Sequence, residues 1–129
     1  MPHSISNPSG LHKPATYSHV ATASGELVFI AGQYASDGNG QVVSTDFAEQ
    51  VRQSFANLRT ALASVGLDFE HVVQLRSHIV AHDSDKLAVL GKRIIEIWGE
   101  EPPTQTLSGV AALAYPGMLF EVDAIAVHP

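Results

Sequence analysis

Apolar residues recur along this chain in two different periods. Between Asp46 and Gly66, Phe47, Val51, Phe55, Leu58, Leu62 and Val65 follow at steps of three and four, which predicts an amphipathic helix. Asp46 is placed to cap it with Glu49 three residues on, Gly66 to end it, and Arg52, Asn57 and Arg59 fall on the solvent side. A second helix starts near Ser84, carries Leu87, Leu90, Ile94 and Ile97 or Trp98, and stops at Gly99. Elsewhere the period is two. Tyr17 to Thr22 and Glu26 to Gln33 read as strands of a hairpin around Ala23-Ser24-Gly25. From His71 to Val80, Val73, Leu75, Ser77 and Ile79 share one side, and Gln74, Arg76, His78 and Val80 the other. Thr104 to Leu113 and Met118 to Val127 read as a second hairpin turning at Tyr115-Pro116-Gly117. In its second arm Phe120, Val122, Ala124 and Ala126 oppose Glu121, Asp123, Ile125 and Val127. Residues 1 to 14, with Pro2, Pro8, Gly10 and Pro14, show no period and are expected to be extended or loose.

The predicted order is strand, strand, helix, strand, helix, strand, strand. Two amphipathic helices on one face of a mostly antiparallel sheet make a two-layer α+β domain, and 129 residues suit one such domain spanning the whole chain. The opposite sheet face is left uncovered, so association of identical chains through it is expected.

Composition narrows the function classes. With no cysteine, the chain has no disulfide, thiolate nucleophile or cysteine zinc site. Seven Lys and Arg against thirteen Asp and Glu give a net charge of -6, and the basic residues are dispersed, which disfavours nucleic acid as a partner. The polar start MPHSISNPSGLHKP does not resemble a secretory signal, and no apolar run is long enough to span a bilayer; a cytoplasmic protein without membrane contact is expected.

Motifs of chemistry are sparse. His78 and His82 are four apart, but one is on a strand and the other beyond it, so they lack the shared helical face that metal-binding pairs use; no metal or cofactor is expected. There is no Gly-x-Ser-x-Gly elbow or phosphate loop, and Gly38-Asn39-Gly40 is too short for a nucleotide fingerprint. Ala31-Gly32-Gln33-Tyr34 would let a ligand or another backbone approach closely. Glu121 and Asp123 share a strand face about 7 Å apart by strand geometry. The functional reading of Glu121 is a carboxylate that positions or deprotonates water, against the alternative of mere solvation; for Asp123 solvation is the default.

Taken in order, Tyr17-Ser18-His19, Ile30-Ala31-Gly32-Gln33, Gln50 to Ser54 with Asn57-Leu58, Gly66-Leu67, Pro103-Thr104-Gln105-Thr106 with Gly109 to Leu113, and Glu121 to Val127 resemble the Rid family, also called YjgF/YER057c/UK114, over residues 14 to 127. The resemblance implies a chorismate-mutase-like fold and a homotrimer with small-molecule clefts between subunits. It also implies hydrolysis of imines and enamines such as 2-aminoacrylate to ketoacids and ammonia. By the same resemblance Tyr17 closes the cleft, backbone groups at Gly32 hold substrate, and Glu121 handles water. The family's carboxylate-clamping arginine is replaced by Gln105. Arginine offers a carboxylate two charge-assisted hydrogen bonds, and losing bonds of that kind is worth about 1.5 to 3 kcal/mol. Gln105 is therefore expected to favour an amide, urea or carbonyl group over a 2-imino acid, unless Arg76 supplies the missing cation. A non-catalytic, ligand-sensing or chaperone-like trimer is the alternative, and the ribonuclease activity attributed to some relatives is a third reading that the net charge opposes.

Overall fold

Asp46 starts the first helix as its side chain predicts: it accepts the Glu49 N–H at 3.0 Å and opens α1, Phe47–Ala63, in a computed structural model that describes residues 3–129. The far end closes through Gly66, whose φ of 78° lets its own N–H reach the Ala63 carbonyl while Leu67 N–H reaches Leu62, each at 3.0 Å. Asp83 caps α2, Ser84–Trp98, by accepting the Lys86 N–H at 2.8 Å. The strands are β1 His3–Ser6, β2 Val20–Ala23, β3 Glu26–Gln33, β4 Val72–Val80, β5 Thr104–Val110 and β6 Phe120–His128, with a 3-10 turn at Phe69–His71 before β4.

β3, β6, β4 and β5 form one sheet in that spatial order, and β1 pairs with β2 in a separate ribbon. Phe55, Leu58 and Leu62 of α1 and Leu90 and Ile94 of α2 close over Leu75, Ile79, Phe120, Val122 and Ala124 to make the core. The two-layer α+β reading therefore holds, with both helices on one side of a sheet that is antiparallel except at β4 and β5. On the other side the edge strand β3 leaves Leu27 and Phe29 exposed, as the reading of an uncovered face requires. Among the described residues no helix is long and apolar enough to cross a membrane.

Both hairpins need correction. β4 lies between β5 and β6, so the Pro116-Gly117 turn reverses the chain without closing a ladder. β6 has one face apolar from Phe120 to Ala126 and backbone groups on both edges to satisfy, and it takes the centre of the sheet between β3 and β4. β5 instead runs parallel to β4, with α2 as the crossover that parallel neighbours require. Likewise Gly25, at φ 126°, turns the chain, but β2 pairs with β1, not with β3. The segment expected to be extended or loose is extended at His3–Ser6, as a strand held in part by a 2.7 Å hydrogen bond between the Ser4 and Thr22 hydroxyls. Pro2 lies outside the described residues. Asn57, expected in solvent, instead donates to the carbonyls of Tyr34 and Ser36 at 2.9 and 3.2 Å and ties the segment after β3 to α1.

Candidate functional site

Gln105 sits at the start of β5 opposite Leu75, and this register turns it toward the helix layer. Ser77 Oγ donates to its Oε1 at 2.6 Å, and its Nε2 donates to the Thr16 carbonyl at 3.3 Å. A carbonyl only accepts, so the nitrogen must face Thr16, which fixes the orientation of the amide. With the oxygen engaged by Ser77, Gln105 has chiefly one N–H left to offer. This narrows the expectation that it would present donor and acceptor together.

Tyr17 reaches the same place because its neighbours are stitched to β5. Ser18 N–H donates to the Pro103 carbonyl at 3.0 Å and Ser18 Oγ to that of Pro102 at 2.6 Å. Gly91 removes a side chain from α2 where a β-carbon would come within 3.0 Å of Thr16 Cγ2, so helix and segment can close up. The result is a groove of about 910 Å³ lined by Tyr17, Leu87, Gly91, Ile95, Gln105 and Leu107, with Lys92 and Glu96 also on its wall. Leu87 was expected in the core but remains 46% exposed, and Ile95 48%. An apolar wall with few fixed polar groups is the usual character of a small-molecule site.

Glu121 and Gly32 form a second pair. Between Ile30 and Gln33 the register of β3 on β6 slips by one residue, a bulge at Ala31-Gly32. The bulge brings the Gly32 backbone against Glu121, whose carboxylate occupies the space a β-carbon at position 32 would fill. The ion pairs on this face go to Asp123: Arg76 Nε donates to Asp123 Oδ1 at 2.9 Å, and His78 Nε2 lies 3.5 Å from Asp123 Oδ2. Asp123 is thus paired rather than solvated, with only 17% of its side chain exposed. Arg76 is opposite Asp123 and Thr106 in the ladders, hence on the sheet face away from Gln105 of the same protomer. His78 turns to Asp123, whereas His82 packs against Gly109, so the two histidines share no centre.

The four residues singled out from the sequence therefore fall into two pairs within one protomer. Tyr17 and Gln105 line the groove at the β5 edge; Gly32 and Glu121 meet where β3 joins β6. Sequence reasoning missed Thr16 and Ser77, which hold Gln105, and His12, whose Nε2 lies 2.9 Å from the Tyr17 hydroxyl. Ser77 left one trace, a hydroxyl on the apolar side of its strand, where it is fully buried.

Residues 9–128 match the family model described as endoribonuclease L-PSP. The chain is 34% identical over 110 residues to the RutC family protein YjgH of Escherichia coli strain K12, covering 84% of this chain and 81% of that protein. It is 28% identical over 102 residues to the human 2-iminobutanoate/2-iminopropanoate deaminase, covering 78% and 72%. The crystal structure of YyfB, a Rid protein of unknown function from Yersinia pestis, superposes with a TM-score of 0.93 at 34% identity over 99% of this chain and 100% of that one. With this fold and a family match over nearly its whole length, the chain belongs to the Rid (YjgF/YER057c/UK114) family.

Proposed function

We propose that the chain works as a homotrimer in which the Tyr17–Gln105 groove of one protomer is completed by the Gly32–Glu121 pair of the next. The site so formed binds a small metabolite and hydrolyses an imine, enamine or amide-like group. The observation that carries this reading is the Glu121 carboxylate packed on bare Gly32 backbone and outside the neighbouring ion pairs, where β6 meets the edge strand β3, while the apolar groove lies at the opposite, β5 edge of the sheet.

In hydrolysis of an imine, Glu121 takes a proton from water as the oxygen attacks the C=N carbon, then returns it to nitrogen. The carbinolamine collapses to a carbonyl compound and ammonia, and the carboxylate ends as it began. Gln105 contributes one neutral N–H toward a carbonyl oxygen of the ligand, and Tyr17 covers the apolar part. A 2-imino acid, whose carboxylate meets no guanidinium here, is bound about 10- to 100-fold more weakly than by an arginine-bearing site.

The test generates imines in situ from several amino acids and from their amides and follows ammonia release. Amide-derived imines should turn over faster than 2-imino acids, and Glu121→Gln should abolish turnover while keeping binding. Turnover of 2-imino acids equal to that of arginine-bearing relatives would overturn the role given to Gln105. A non-catalytic sensor or chaperone-like trimer is favoured by one observation, that Gln105 is already bonded to Ser77 and Thr16. In that case no imine turns over in the wild type and Glu121→Gln has nothing to abolish.

A further inference from the structure

His12 was assigned no role by its sequence, yet its ring Nε2 lies in hydrogen-bond contact with the Tyr17 hydroxyl at 2.9 Å. The segment that carries it is fixed at two further points. His19 Nε2 lies 2.8 Å from the His12 carbonyl, and the His19 N–H donates to Asn7 Oδ1 at 2.9 Å. A carbonyl only accepts, so His19 Nε2 must carry its proton; its tautomer is settled by this contact. His12 has no such constraint. Its Nε2 faces a hydroxyl, which can give or take a hydrogen bond. Tyr17 in turn lines the groove beside Gln105. The titratable groups around this ring are Tyr17 and His19, whose rings meet it edge-on at 6.1 and 5.0 Å, and Lys13, next in sequence; Lys92 and Glu96 line the groove that Tyr17 faces.

We propose that His12 is a positioning residue that sets the hydrogen-bonding polarity of Tyr17 in the groove. When His12 is protonated, Nε2–H donates to the phenolic oxygen, and the phenol's own proton is free to point at an acceptor on the ligand. When His12 is neutral with its proton on Nδ1, the phenol spends that proton on Nε2 and presents only lone pairs to the groove. The ligand class that follows is a carbonyl or carboxamide acceptor, bound better with His12 charged, with Gln105 N–H and Tyr17 O–H as its two donors. This rests on the groove being the ligand site, as proposed above.

The probe is 2-oxobutanamide, a neutral ketoamide, so that simple attraction of an anion to the imidazolium is not what is read. Its affinity is measured by NMR titration across the pH range in which His12 itself titrates, followed in the same samples with histidine labelled at Cε1. Affinity should fall roughly two- to tenfold as His12 loses its proton, the worth of one neutral hydrogen bond. Tyr17→Phe should remove this pH dependence although the imidazole remains. His12→Gln, whose amide takes the place of Nε2, should keep binding and lose the dependence, while His19→Gln should retain it. A pH dependence that survives both Tyr17→Phe and His12→Gln overturns the proposal and leaves the site reading intact. If 2-oxobutanamide binds at no pH, the site reading fails, and the proposal is decided by the histidine signal alone. Tyr17→Phe must then shift the His12 titration midpoint, and an unmoved midpoint overturns it.

Discussion

At position 32 the absence of a side chain is what makes room for a functional group. A β-carbon there would overlap the Glu121 carboxylate, yet no left-handed φ is required at this glycine, so alanine is barred by the carboxylate alone. Gly32→Ala should therefore push the flexible end of Glu121 aside at a folding cost of less than about 1 kcal/mol. With Glu121 as the proposed base for water, turnover should fall by tenfold or more. Thermal melting and ammonia release on the same preparation separate the two effects. A variant that melts much earlier instead would mean the pair holds the bulge together. A second exchange, Gln105→Arg, would let a guanidinium donate to the Thr16 carbonyl while keeping donors for a carboxylate. Turnover of 2-iminobutanoate should rise about tenfold or more, and an unchanged rate would show that position 105 does not face substrate. Tyr17, Gly32, Gln105 and Glu121 could be singled out as candidates because each belongs to a short run with a recognisable neighbourhood. Ser77 and Thr16 were not, because they meet Gln105 from 28 and 89 residues away and such contacts leave no period in the chain.

Elements were legible where one residue sets a boundary, and illegible where pairing depends on competition between strands. Asp46, Gly66 and Gly99 mark helix ends through local hydrogen bonds, and the structure keeps all three, with Asp83 capping the helix expected from near Ser84. Strand neighbours are chosen by the whole sheet: the Gly25 and Gly117 turns look like hairpins locally, yet β1 and β4 take the places that local reading gave to β3 and β5. One buried polar side chain secures this arrangement. Gln50 of α1 is fully buried, donates to the Ser44 and Gly117 carbonyls at 2.8 Å each, and accepts Leu119 N–H at 2.8 Å, pinning the entry to β6 under the helix. Gln50→Leu matches its volume but strands these backbone groups away from water, at a cost of about 2 to 4 kcal/mol. The loss is read as a lower urea midpoint at unchanged slope. Asp46→Ala, which removes only an exposed cap, should cost about 1 kcal/mol. Equal losses in the two variants would contradict the pinning role of Gln50.

For the whole molecule, acidity and assembly act at different places, the β1–β2 ribbon and the face of the main sheet away from the helices. His3 of β1 is buried, and its pKa is held below the ordinary 6.5 first by desolvation and then by His71. His71 itself uses Nδ1 to accept the Asp68 N–H at 3.0 Å. A histidine with its folded pKa lowered binds more protons when unfolded, so its contribution is fully present above about pH 6.5 and is lost as pH falls toward and through the folded value. The melting temperature should decline on acidification over that window, and His3→Phe should flatten the decline; an unaltered slope would place the acid sensitivity elsewhere. Assembly concerns the sheet face away from the helices, where Phe29 of β3 stands 71% exposed beside Ile125 of β6 on a chain of net charge -6. An aromatic ring that bare costs solubility unless something covers it, and a second and third copy of the same face are the nearest candidates under closed symmetry. Phe29→Glu would bring three added negative charges together around the axis. For the proposed trimer, the sedimenting mass should then drop from three times 13.7 kDa to 13.7 kDa, while circular dichroism remains that of the folded protomer. Binding in the Tyr17–Gln105 groove should weaken in step with the loss of the trimer, because Gly32 and Glu121 would arrive only with a neighbour. A trimer that survives the substitution would mean that its interface avoids this face, and a monomer that still binds and turns over would mean that the groove needs no partner.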